Sequence, residues 1–224
     1  MNLVIDVGNT CVKLAVFNNE TIVFDTRTEI LNIRENVIQL KKKYKQIDRA
    51  IISSVGKLKN EDAEYIKKQV DVLIINAETK LPFLNKYKTP HTLGIDRIAL
   101  VSASVNQFPK NNTLIIDAGT CITYDFITSE NAYLGGAISP GIRMRYTALN
   151  NLTANLPLLN TETPSSLIGS STNDSIHSGV VNGVLNEIDG VITNYKQKNS
   201  DLTVILTGGD ANFLSKQLKS SIFA

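Results

Sequence analysis

Leu3–Lys13 reads LVIDVGNTCVK, and Leu114–Tyr124 reads LIIDAGTCITY. Each is an apolar run, then Asp, an apolar residue, Gly, Thr and Cys (with Asn9 between Gly and Thr in the first copy), then a second apolar run. Asp6 and Asp117 stand 111 residues apart in a chain of 224, so the unit recurs at almost half the chain length. That spacing predicts two similar halves, each opening with the same strand–turn–strand unit. The first strand would stop at the Asp, and Gly8 lets the backbone turn tightly beside a ligand. Successive backbone N–H groups and the Thr10 hydroxyl could then converge on a phosphate. Asp6 and Asp117 at strand ends suit a Mg²⁺ that keeps most of its water and bridges phosphate oxygens. Lys13 could act on the same phosphates as a point charge. A single Asp-x-Gly-x-Thr is an ordinary hairpin turn. Two copies at half-chain spacing point to a nucleotide site.

Composition sets the outer bounds. Apolar residues make up 42% and charged residues 20%, and the formal net charge is +2. This is ordinary globular composition, with no electrostatic case for a nucleic-acid or membrane partner. The one local excess, Lys41 to Lys45, falls at the end of a helical pattern, where cations complement the helix dipole. No apolar run is long enough to span a bilayer and no signal-peptide pattern opens the chain, so the expected location is cytoplasmic. Two cysteines give no disulfide framework and no zinc spacing. Cys11 and Cys121 read as small buried hydrophobes.

After the first unit, strands are expected at Thr21–Phe24, Arg49–Ser53 and Val72–Ile75. Helices are expected at Glu29–Tyr44, from its apolar spacing, and at Glu61–Gln69. The stretch 76–93 has no periodicity, and long loops of this kind often carry function. It leads into Gly94-Ile95-Asp96-Arg97 at the start of a helix running to about Asn106. Asp96 there fits two readings equally, a helix cap or a base beside an anion-binding Arg97. The second half repeats three strands, at Thr113–Asp117, Cys121–Ile127 and Ala132–Ile138. Gly135–Gly141 (GGAISPG) then leads into a helix at Ile142–Leu149, either around a ligand or as a plain tight connection. A loop over 151–171 precedes a long helix from Thr172 to Lys196, with Thr172 or Asn173 as N-cap. Strand Leu202–Leu206, Thr207–Asp210 (TGGD) and a helix at Ala211–Leu218 follow. The two glycines of that turn could seat an adenine or ribose. There is no P-loop and no G-x-G-x-x-G, so a nucleotide would rest on the duplicated turns. Neither His91 nor His177 has metal-ligand partners in the sequence.

DVGNT at Asp6–Thr10, DAGT at Asp117–Thr120 and TGGD at Thr207–Asp210 together resemble the acetate and sugar kinase, Hsp70 and actin superfamily. Within it, LGIDR at Leu93–Arg97, GGAISPG and STNDSIHSG at Ser171–Gly179 are similar to type III pantothenate kinase. The resemblance implies an α/β fold of duplicated actin-like (ribonuclease H-like) domains, at 1–110 and 111–224, each a mixed β-sheet with flanking helices. It implies transfer of the ATP γ-phosphoryl group to the primary hydroxyl of pantothenate, giving 4'-phosphopantothenate, the first step toward coenzyme A. Mg²⁺, a monovalent cation (K⁺ or NH₄⁺) and a homodimer come with it. Asp6, Val7, Gly8, Asn9, Thr10 and Lys13 would hold ATP, with Asp6 near Mg²⁺ through water, and Thr120 would also contact ATP. Asp96 would be the general base. Tyr87, Gly94, Ile95, Asp96 and Arg97 would line the pantothenate pocket, and Asp117 would bind the monovalent cation. Thr172 would touch pantothenate bound in the partner subunit. The family continues past the position of Ala224 with a further strand-like run and a helix. Two rival readings remain: an accessory regulatory binding protein of the same family, and another small-molecule kinase of the superfamily.

Overall fold

The computed structural model describes residues 1–8, 11–54, 58–76 and 78–223. Contacts divide the chain into two compact units. One comprises Met1–Lys80 with His91–Ala99, and the other Leu81–Pro90 with Leu100–Ala224.

The first unit is built on a five-stranded mixed sheet. β1 (Asn2–Val7), β2 (Val12–Asn18) and β3 (Thr21–Thr28) form an antiparallel meander. β4 (Arg49–Ser54) runs parallel to β1, and β5 (Asp71–Ile74) parallel to β4. The order is β3-β2-β1-β4-β5. Alternation decides what covers it: Leu3, Ile5, Val7, Leu14, Val16 and Ile52 are fully buried on one face. They pack with Ile33, Val37 and Leu40 of α1 (Ile33–Lys43) and Ile66 of α2 (Asn60–Lys67). Burying each such side chain contributes about 1.5–3 kcal/mol. Two of the lysines ending α1 have partners. Lys41 Nζ donates to the Ile47 carbonyl at 2.7 Å, and Lys43 lies over the Phe24 ring.

The second unit repeats the plan. β7 (Thr113–Ala118), β8 (Cys121–Ile127) and β9 (Ala132–Pro140) form the meander, and β10 (Thr203–Thr207) lies parallel to β7. The order is β10-β7-β8-β9-β6. The outer strand β6 (Leu84–Asn85) comes from the stretch expected to be irregular and pairs parallel with β9. Two residues are too few to leave a periodic signal. On the opposite edge Phe223 pairs in parallel with Ile205, in the position that β5 holds beside β4 in the first sheet. α3 (Ile95–Gln107) lies between β6 and β7 in the chain, and α4 (Ile142–Asn151) follows β9.

The long helix expected from Thr172 forms in three pieces: α5 (Thr172–His177), a π turn over Ser178–Asn182, and α6 (Gly183–Lys198). Ile176, Val180, Val184, Ile188 and Ile192 run down its buried side at a spacing of four and pack with Leu114, Ile116 and Tyr124 of the sheet. The N-cap is Ser171, not Thr172 or Asn173. Its Oγ accepts from the Asp174 N–H at 3.2 Å and donates to the Asp174 carboxylate at 2.7 Å. α7 (Ala211–Ser215) closes the unit behind β10.

Candidate active site

In the first unit, Asp6 and Lys13 face each other across the β1–β2 hairpin. Lys13 Nζ lies 3.6 Å from Asp6 Oδ2, with 59% and 40% of the two side chains exposed. A pair this open to water binds weakly, so either partner can turn to a ligand at small cost. The Gly8 N–H donates to the Cys11 carbonyl at 3.1 Å and closes the turn. Val7 is fully buried. Asn9 and Thr10 lie outside the described residues.

Also in this unit, Gly94 leads into α3, which starts at Ile95, so Asp96 sits in the first helical turn and is not the cap. Its carboxylate accepts from the Arg97 N–H at 2.9 Å, where the helix dipole favours negative charge. A Cβ on Gly94 would collide with Asp96 Oδ1. Asp96 is exposed, and Arg97 is buried with 5% of its surface accessible.

In the second unit three of the sequence motifs converge. The Gly119 N–H donates to the Cys121 carbonyl at 2.9 Å, closing the Asp117–Thr120 turn. Gly141, at the end of GGAISPG, donates its N–H to the Thr120 carbonyl at 3.2 Å. The TGGD turn rests on the same loop: the Asp210 N–H donates to the Ala118 carbonyl at 2.9 Å. Gly208 has φ +98°, and a Cβ there would collide with the Ala118 carbonyl and with Asp117 Oδ1. Glycine is therefore required twice over. Burial raises the pKa of Asp210 above the ordinary carboxylate value. Thr120 is exposed and Asp117 half-buried.

Tyr87 lies two residues past β6, stacked on Tyr133 with centroids 6.1 Å apart and planes 28° apart. Gly135 (φ +104°) makes room for it, since its Cβ position is 3.1 Å from Tyr87 Cδ2. Tyr133 donates its hydroxyl to Asp125 Oδ1 at 2.6 Å, and Thr123 Oγ1 donates to Oδ2 at 3.2 Å. Asp125 is fully buried. This support under Tyr87 went unread in the sequence. An acid inside CITYDFI was the available signal, because a buried carboxylate needs partners.

Thr172 is exposed at the start of α5 and lines an apolar groove of about 1080 Å³ together with Arg145, Leu149, Leu152 and Leu156. Arg145 also escaped the sequence reading. It donates to the Pro140 carbonyl (2.9 Å), to Ser139 Oγ (3.0 Å) and to Glu187, whose other oxygen accepts from Tyr124 at 2.8 Å. This ties the end of β9 to α4 and α6. His177 contacts the Tyr146 hydroxyl through Nδ1 at 2.8 Å, and His91 lies exposed in a single turn at Pro90–Thr92. Cys11 and Cys121 are half-exposed rather than buried, and Cys121 Sγ touches Met144 Sδ at 3.9 Å.

Among the described residues no three His, Cys, Asp or Glu side chains gather to hold a metal. A Mg²⁺ bound to phosphates needs only one or two carboxylates, because water and phosphate supply the rest. Half-exposed Asp6 fits such a role, and Asp117, at the turn that Gly208 and Gly141 enclose, fits a cation held partly by oxygen atoms of the turn.

The family described as type III pantothenate kinase matches residues 2–194. This chain belongs to it. A type III pantothenate kinase of Flavobacterium psychrophilum is 52% identical over 227 residues, covering 100% of this chain and 93% of the relative. One from Bacteroides fragilis is 43% identical over 229 residues, covering 100% and 92%. Among solved structures, a Campylobacter jejuni protein described as a Baf family transcriptional activator superposes with TM-score 0.62 at 23% identity, over 99% of this chain and 90% of that one. A Listeria monocytogenes protein described as an N-acetylmannosamine kinase gives 0.54 at 12% identity, over 100% and 92%. These two likenesses establish the fold: two mixed sheets with flanking helices, of the actin-like kind that sugar kinases share. No described helix of this type III pantothenate kinase family member is long and apolar enough to cross a membrane.

Proposed function

We propose that this protein transfers the γ-phosphoryl group of ATP to the primary hydroxyl of pantothenate, forming 4'-phosphopantothenate and ADP, with Asp96 as the general base. The observation that carries the reaction is the likeness to type III pantothenate kinases along the whole chain. The exposed carboxylate of Asp96 supports the role of base. It takes the proton of the acceptor hydroxyl as that oxygen attacks the γ-phosphorus and ADP leaves. Positioning and charge neutralisation carry most of the barrier in such transfers.

Asp6, the backbone from Val7 to Thr10, Lys13 and Thr120 bind the nucleotide in this reading. Asp6 holds Mg²⁺ through water, and that ion supplies charge neutralisation on the phosphates when bound. Asp117 binds a monovalent cation, K⁺ or NH₄⁺. Tyr87, on its Tyr133 platform, and Gly94 to Arg97 contact pantothenate. Thr172 reaches the pantothenate of a second subunit, so the working form is a homodimer. The two halves, 1–110 and 111–224, act as the two domains of the kinase.

The test is ADP release from ATP with Mg²⁺ and pantothenate, with and without K⁺ or NH₄⁺. Asp96→Asn is expected to lose about 10²–10⁴-fold in kcat while still binding ATP. Wild-type protein that binds both substrates in the presence of these ions yet releases no ADP would sink the proposal and favour the accessory binding role.

A further inference from the structure

We propose that Ser53 is a further contact of the metal–phosphate group at Asp6, an inference that rests on the reading of Asp6 given above. β1 has β2 on one side and β4 on the other, and Asp6 is paired with Lys13 in β2 and with Ser53 in β4. Side chains of laterally paired residues leave a sheet on the same face. A cation, a carboxylate and a hydroxyl therefore form one row across three strands.

Burial agrees with that assignment. Leu3, Ile5 and Val7 of β1 and Ala50 and Ile52 of β4 are buried on the opposite face, whereas Val4, Asp6, Ile51 and Ser53 are all half-buried. The Ser53 hydroxyl makes no hydrogen bond with any described residue. A hydroxyl both donates and accepts, so beside a carboxylate it can meet a metal-bound water and a phosphate oxygen alike. A carboxylate with a neighbouring hydroxyl is the donor set that holds Mg²⁺ on phosphates in other phosphoryl-transfer sites.

The chain supplies its own control. Ser54 has the same side chain one position on, but it is paired with Val7 and belongs to the buried face. Its Oγ is enclosed and has no hydrogen-bond partner among the described residues. The two serines differ in the face they occupy and not in their chemistry.

The experiment is calorimetric binding of a non-hydrolysable ATP analogue across a Mg²⁺ titration, with thermal unfolding of each variant alongside. Ser53→Ala is expected to raise the Mg²⁺ concentration for half-saturation about tenfold, the loss of one charge-assisted hydrogen bond. Its melting temperature should stay unchanged, and Ser53→Thr should restore binding. Ser54→Ala should leave the Mg²⁺ dependence as it was. If Ser53→Ala titrates like wild type while Asp6→Asn loses its Mg²⁺ dependence, the role of Ser53 is refuted and that of Asp6 stands. If Asp6→Asn also titrates like wild type, the reading of Asp6 falls and takes this inference with it. A Ser53→Ala defect that comes with a lowered melting temperature and is not rescued by Thr would make the residue structural and overturn the proposal.

Discussion

At the scale of the residue, two glycines set the positions of two acids. Gly94 leaves the space that the Asp96 carboxylate occupies, and Gly208 leaves the space beside Asp117. Gly94→Ala must push the Asp96 carboxylate aside while the exposed surface around it accommodates the methyl group. The expected result is a kcat lowered about 10²-fold by a misplaced base, with ATP affinity and melting temperature close to wild type. Steady-state kinetics beside thermal unfolding would check it, and an unchanged kcat would remove Asp96 from the chemistry. Gly208→Ala is a different case. Its obstacles include the Ala118 backbone carbonyl, and its φ of +98° is unfavourable to any side chain, so a stability loss of about 1–3 kcal/mol is expected in addition to weakened K⁺ or NH₄⁺ activation. Both acids and both glycines stand out in the sequence through their motifs. The fact that each glycine serves its particular acid does not, because that depends on how a turn folds back on a strand end.

At the scale of the element, the junction of β9 and α4 is held by Arg145 and Glu187, and neither residue belongs to a motif. Burial pushes the Glu187 carboxyl up, but hydrogen bonds from Arg145, Tyr124 and Ser139 outweigh it and hold the pKa below the ordinary 4.5. A carboxyl whose folded value lies below its unfolded value contributes stability above pH 4.5 and loses it as pH falls through the folded value. Glu187→Gln keeps an acceptor for Tyr124 and loses the ion pair. It is expected to unfold about 1–2 kcal/mol more easily at neutral pH, with the deficit shrinking in acid. Urea unfolding across that pH range is the measurement, and a deficit independent of pH would mean that the ion pair is not the cause. Because the Gly141 N–H holds the Thr120 carbonyl, the same variant should also weaken ATP binding more than pantothenate binding. The helical stripe of α5 and α6 was legible from its apolar spacing. The π turn within it was not: a spacing of four continues unbroken through Ser178–Asn182, so the inserted bulge leaves no mark on the pattern.

At the scale of the whole molecule, the repeat of Asp-x-Gly followed by Thr carried the architecture, since the two meanders β1-β2-β3 and β7-β8-β9 each gain a parallel partner beside their first strand. Assembly is testable by mixing. If Thr172 of one subunit serves the pantothenate site of another, Asp96→Asn and Thr172→Val subunits refolded together should regain about a quarter of wild-type turnover, since half the dimers then contain one intact site. No gain over the separate variants would place Thr172 and Asp96 of one chain in the same site. The outer strand β6 was the least legible element, for reasons of length. It nevertheless brings Phe83 and Tyr87 against Tyr133. β6 is synthesised well before β9, the strand on which it docks, with α3, β7 and β8 emerging in between. A growing chain on the ribosome must therefore keep an apolar segment unpartnered while those elements are made, and this is the interval in which a chaperone or a mispaired edge has its opportunity.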